Sequence, residues 1–131
     1  MNDQITITGR IVGGVKKGTF FTQLDWVQKQ CQKKLGFRPF PGTLNLEIEE
    51  EKISLIDAIY QQEGIELVPP DSNFCTGHVY PVSVMGVSGA IVAPAEDVSA
   101  HGKNIIEIMA PICLKEALDV ADGDEIMLTL K

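Results

Sequence analysis

Apolar and polar positions alternate through Gln4-Ile5-Thr6-Ile7-Thr8, the two-residue period of a strand with one face buried. Gly9-Arg10-Ile11-Val12 continues it and Gly13-Gly14 ends it, before a turn-rich stretch from Val15 to Thr19. The period then changes. Leu24, Val27, Cys31 and Leu35 recur at helical spacing, with Gln28, Lys29, Gln32 and Lys33 on the opposite face. The pattern predicts that Thr22 caps this helix, with Asp25 in the capping-box position, and that Gly36 ends it in the left-handed conformation. Lys33-Lys34 suits a solvated helix end, where cations complement the macrodipole.

Two prolines, each lacking a backbone donor, keep Phe37-Arg38-Pro39-Phe40-Pro41-Gly42 out of regular structure. Alternation resumes at Thr43-Leu44-Asn45-Leu46-Glu47-Ile48, a second strand. A short helix is predicted over residues 55–63, with Ser54 as its cap, Asp57 three residues on and Gly64 closing it. Beyond Pro69-Pro70, strand candidates cover residues 77–84, 89–93 and 104–109. Residues 114–118 read as one or two helical turns, and Asp122-Gly123-Asp124 turns the chain into a last strand over 125–130. Many short strands with Gly/Pro punctuation and two or three small helices predict a mainly β protein, a compact barrel with helical insertions. A parallel α/β sheet needs helices alternating regularly with strands, and they are missing from the pattern.

Composition narrows the function classes. With 131 residues, 44% of them hydrophobic and 22% charged, the chain is expected to form one globular domain over residues 1–131. A formal net charge of −7 repels phosphate backbones and argues against a nucleic-acid partner. The basic pairs Lys16-Lys17 and Lys33-Lys34 are too short for a nucleic-acid stripe, though either suits a small anion. Cys31, Cys75 and Cys113 form no CxxC spacing, which suits a reducing compartment and buried apolar thiols. With no signal pattern and no apolar run of membrane length, a cytoplasmic protein without a membrane partner is expected.

Three constellations can carry chemistry. On a strand, Thr43 and Asn45 share one face, opposite Leu44 and Leu46. A hydroxyl and a carboxamide oxygen are hard neutral ligands, suited to a Mg²⁺ ion that takes its remaining ligands from phosphates and water. The same alternation suits a solvent-facing Thr and Asn on an edge strand, and pattern alone leaves both open. The second is Gly13-Gly14-Val15-Lys16-Lys17-Gly18-Thr19-Phe20-Phe21, where glycines let backbone N–H groups approach an anion and lysines add charge; a plain hairpin turn fits equally. The third is Glu107 within Ile105-Ile106-Glu107-Ile108-Met109, a carboxylate in an apolar strand that needs either a partner or a role as a base. An outward-pointing Glu107 on a half-exposed strand is the other reading. Ser99 and His101 fall in a polar loop, and His78, without a second ligand at metal spacing, reads as structural.

In order, these segments resemble the archaeal-type CTP-dependent riboflavin kinases. The resemblance rests on Gly14…Gly18 with Phe20-Phe21, on the run from Leu35 through Pro41-Gly42-Thr43-Leu44-Asn45-Leu46, and on Gly89-Ala90-Ile91-Val92-Ala93-Pro94. It continues through Ile105-Ile106-Glu107-Ile108-Met109-Ala110-Pro111 to Leu114-Lys115-Glu116 and Asp122-Gly123-Asp124. It implies a six-stranded cradle-loop (riboflavin-synthase-like) barrel that moves the γ-phosphate of CTP onto the 5′-hydroxyl of riboflavin, giving FMN and CDP. By the same resemblance Thr43 and Asn45 hold Mg²⁺, and Ser99 and Glu107 bind the flavin. Gly14, Val15, Lys16, Lys17, Gly18 and Thr19, together with Ile112, Cys113, Leu114 and Lys115, bind the nucleotide. Glu107 is then the catalytic residue, orienting or deprotonating the flavin hydroxyl, and a monomer is expected. The family's loop is richer in glycine where Lys16 stands here, which keeps a second reading open: a non-catalytic flavin- or nucleotide-binding module on the same barrel.

Overall fold

The computed structural model describes residues 5–13, 22–70, 76–93 and 104–130. The predicted nucleotide loop from Gly14 to Thr19, and Ser99, His101 and Cys75, lie outside the described residues. In chain order the elements are β1 (Thr6–Val12), α1 (Asp25–Lys34) and β2 (Leu44–Ile48), then a 3-10 turn (Glu50–Lys52) leading into α2 (Ile53–Tyr60). β3 (Ile65–Leu67), β4 (Gly77–Val84), β5 (Val87–Val92), β6 (Ile105–Met109), α3 (Leu114–Leu118) and β7 (Glu125–Leu130) complete them.

All strand pairs are antiparallel, and six strands close on themselves in the order β4-β5-β6-β2-β1-β7 and back to β4. The seventh, β3, joins β4 at Gly77–Val79, whereas β7 joins it at Val82–Val84. Pro81, with no N–H to donate, stands at the change of partner. Closure removes the free edges that an open sheet of this size would expose.

Strand alternation fills the ring. Ile7, Ile11, Leu44, Leu46, Ile48, Ile106, Ile108, Ile126 and Leu128 all point inward, joined by Ile56 and Ile59 from α2 and Leu114 from α3. A second cluster lies outside the ring, where Val27 and Cys31 of α1 pack on Leu67, Val79, Ala90 and Met109. The predicted stripe of α1 is thus the face it buries. Burial pushes the Cys31 thiol up to about 11, with Lys34 pulling weakly the other way, so it is a packed group and not a nucleophile. The Gln30 carboxamide adds a polar seam, accepting from Val68 N–H at 2.7 Å and donating to the Val68 carbonyl at 2.5 Å.

Three local expectations need correction. Thr22 does not cap α1, whose N-cap is Leu24 with no side-chain cap bond; the Thr22 hydroxyl is used elsewhere, as shown below. The second helix starts before Ser54, because the 3-10 turn at Glu50–Lys52 winds straight into it. Strand β5 begins at Val87, two residues before the predicted start.

Gly36 does close α1, at φ 84° with its N–H donating to the Cys31 carbonyl. Gly64, after α2, is more constrained: its φ is +66°, and an added Cβ would sit 2.6 Å from Tyr80 Cε1 and 2.8 Å from the Val79 carbonyl oxygen. Gly64→Ala is therefore expected to destabilise the fold by about 2–4 kcal/mol in urea unfolding, combining left-handed strain with a backbone clash.

Candidate active site

The register of the barrel assembles the site. β2 and β6 pair so that Asn45 lies opposite Glu107. The same row runs on to Val12 of β1 and Val92 of β5, the last strand residues before the segments carrying the predicted nucleotide loop and Ser99. Leu44, Leu46, Ile106 and Ile108 point into the barrel, so Asn45 and Glu107 share its outer side.

Thr43 stands two residues before Asn45, and its hydroxyl donates to Glu107 Oε1 at 3.0 Å. Glu107 therefore has the partner that its apolar strand demanded. Asn45 is not solvent-facing: it is 7% exposed, and its buried carboxamide oxygen has no hydrogen-bond partner among the described residues. Such an orphan acceptor costs about 1–3 kcal/mol, and its residue stands opposite Glu107 in the ladder and two places from Thr43 on the same strand face. The Tyr60 phenol, in the last turn of α2, is held well above the usual tyrosine range by burial and then by the Glu107 carboxylate, with Tyr80 and Asp57 adding to it.

The approach to Thr43 is tied at each end. Phe40 N–H donates to the Ala110 carbonyl at 2.7 Å, and Gly42 N–H donates to Thr22 Oγ1 at 2.8 Å. Gly42 has φ 118°, open to glycine and strained for other residues. Beside this strap lies a cavity of about 180 Å³ lined by Phe40, Thr43, Ile108, Ile112, Cys113 and Lys115 among others. It brings together Thr43 and the whole predicted nucleotide stretch, Ile112, Cys113, Leu114 and Lys115.

These four residues differ in what they can offer. The Leu114 side chain is 4% exposed and belongs to the barrel core, so only its backbone can serve a ligand. Ile112 is 43% exposed and presents an apolar edge. Lys115 Nζ donates to Asp122 Oδ1 at 2.6 Å, and both side chains remain open to solvent. A Cβ on Gly13 would lie 3.7 Å from the other Asp122 oxygen, so the chain enters the predicted nucleotide loop beside this ion pair.

The residues fit a hard divalent cation of a particular kind. Among the described residues no group of three or more His, Cys, Asp or Glu could hold a metal ion, so a cage of protein carboxylates is not what is offered here. Two neutral oxygens, one of them an orphan, backed by a single carboxylate suit Mg²⁺ that keeps most of its ligands from phosphate and water. His78 takes no part; its Nδ1 lies 3.2 Å from the Glu63 carbonyl oxygen.

Comparison with known proteins now gives this arrangement its context. The family model described as CTP-dep_RFKase, domain of unknown function DUF120, matches residues 11–130. The chain belongs to the CTP-dependent riboflavin kinase family. Among similar curated proteins, the riboflavin kinase of Methanosarcina barkeri is 33% identical over 132 residues, covering 98% of this chain and 58% of that protein. That of Methanocella arvoryzae is 37% identical over 123 residues, 94% of this chain and 56% of the relative. A third, from Pyrobaculum aerophilum, is 32% identical over 124 residues, 92% and 58% of the two chains. The chain thus spans a little over half the length of these riboflavin kinases. Among the described residues no helix is long and apolar enough to cross a membrane.

Two side chains of the site were not legible as such. Thr22 read as a helix cap and Gln28 as solvent-facing, yet both are turned toward the strap. The only sequence signal for them was the pair of prolines, which leaves the strap just the Phe40 and Gly42 N–H groups as donors.

Proposed function

We propose that this member of the riboflavin kinase family is itself a phosphotransferase, moving the γ-phosphate of CTP to the 5′-hydroxyl of riboflavin to give FMN and CDP. The observation that carries this is the Thr43–Glu107 hydrogen bond, in register with the buried Asn45, with Thr43 itself lining a cavity that Ile112–Lys115 also line. Phosphoryl transfer asks a protein mainly for positioning and charge neutralisation, and those groups can supply both.

Thr43 and Asn45 would hold Mg²⁺, which when bound neutralises charge on the phosphate oxygens. Glu107 accepts from the flavin hydroxyl and orients it for attack, exchanging the Thr43 proton for that of the substrate. Lys115, released from Asp122, pairs with the nucleotide's phosphates, and Ile112 with Phe40 gives the apolar part of the nucleotide a dry edge. Ser99 and the loop from Gly14 to Thr19 belong to the same proposal through the family resemblance.

The test is FMN formation from riboflavin with Mg²⁺, run in parallel with CTP, ATP, GTP and UTP. Turnover with CTP well above the other three is expected; equal turnover with all four would remove the base preference, and none with any would remove the kinase reading. Lys115→Met is expected to change stability by no more than about 1 kcal/mol, since the pair it breaks is exposed. It should raise the nucleotide KM about tenfold through loss of a charge-assisted contact, leaving the riboflavin KM in place.

A further inference from the structure

We infer that Thr22 and Gln28 are positioning residues for the metal-holding corner, fixing the strap from Pro39 to Gly42 and thereby the place of Thr43. The inference rests on the proposed role of Thr43 and Asn45 and adds two residues outside them.

The strap's hydrogen bonds can be accounted for completely at its donors. Pro39 and Pro41 have no N–H. Phe40 N–H goes to the Ala110 carbonyl and Gly42 N–H to the Thr22 hydroxyl. The Pro39 carbonyl accepts from Gln28 Nε2 at 2.8 Å, and the same nitrogen donates to the Thr22 carbonyl at 2.6 Å. One carboxamide on α1 therefore grips both the strap and the residue that holds the strap's other end.

Burial makes this junction specific. Thr22 is 0% exposed, so water cannot replace its hydroxyl as the acceptor for Gly42. Gly42 itself sits at φ 118°, a peptide orientation that apolar packing alone would not select, and the next residue is Thr43. From α1 the connection runs Gln28, Thr22, Gly42, Thr43, Glu107, each step a hydrogen bond or a peptide link. Loss of the junction frees the strap to shift by fractions of an ångström, enough to spoil a ligand set without unfolding a barrel whose core lies on the other face of β2.

The experiment uses the full chain and Mn²⁺ as the probe, titrated by electron paramagnetic resonance with CDP present, with riboflavin binding followed separately by fluorescence quenching. Thr22→Val and Gln28→Leu are each expected to weaken Mn²⁺ about tenfold, the scale of lost outer-shell support at metal sites, with Thr22→Ser and the riboflavin affinities within about twofold of wild type. Unchanged Mn²⁺ affinity in both variants, with only a lower unfolding midpoint, would make the junction merely structural and overturn the inference. Should Thr22→Val not fold, Gln28→Leu decides alone, since it leaves the Thr22–Gly42 bond in place. A wild type that binds no Mn²⁺ overturns the metal reading itself, whereas Mn²⁺ binding shared equally by all variants overturns only the positioning role.

Discussion

Asn45→Leu is expected to make a protein that forms FMN far more slowly than wild type yet unfolds at a higher urea concentration. The two effects have one cause. The buried Asn45 oxygen has no hydrogen-bond partner among the described residues, a desolvation cost of about 1–3 kcal/mol. Leucine has nearly the same shape and no polar atom to strand, so a gain of about 1 kcal/mol is expected. Turnover should fall on the order of 10²–10³-fold, as when one charge-stabilising contact is removed from a transition state. The rise in unfolding midpoint that Mg²⁺ with CDP gives to wild type should vanish as well, by linkage. A variant that is less stable and still active would mean that Asn45 is an ordinary buried strand residue.

The second large effect is expected at Glu107. Glu107→Gln keeps an oxygen to accept from Thr43 and nearly the same volume, so the barrel should remain folded. What it removes is the charge, and with it the ability to draw the proton from the flavin hydroxyl. The expected result is a fall in kcat of about 10²–10⁴-fold, the usual range for loss of a general base. Riboflavin and nucleotide KM values should move far less. A large rise in riboflavin KM with kcat intact would instead assign Glu107 to flavin binding alone.

The barrel was readable from the sequence wherever a period could build up. β4, α3 and β7 occupy the residues that alternation and turn chemistry indicated, because each runs long enough or ends at a strong enough turn. β3 was missed since three residues carry no period. The β4–β5 hairpin hid its turn for a different reason. Met85 and Gly86 both take positive φ, 49° and 91°, as a two-residue hairpin turn requires, but methionine is a poor advertisement for the left-handed conformation.

The site was legible in part. Strand spacing gave Thr43 and Asn45 a shared face and apolar surroundings singled out Glu107, while their proposed roles came only with the family resemblance. That the three meet does not, because the register of β2 against β6 is set by the whole ring and not by either strand. Thr22 shows the limit most clearly: next to a helix, a hydroxyl reads locally as a cap, yet its partner is Gly42, 20 residues on. Gln28 is the same lesson on the helix itself, where polarity suggested solvent and the side chain was needed by two carbonyls.

Whether this corner does chemistry is tested most directly by following label from CTP marked at the γ-phosphate into FMN, with Mg²⁺ and again with excess EDTA, using wild type and Asn45→Leu. Labelled FMN from wild type with Mg²⁺, none with EDTA, and on the order of 10²–10³-fold slower labelling by the variant, is the predicted result. Riboflavin and CTP that both bind wild type, with no label reaching the flavin, would contradict it and make the chain a binding module on a kinase barrel.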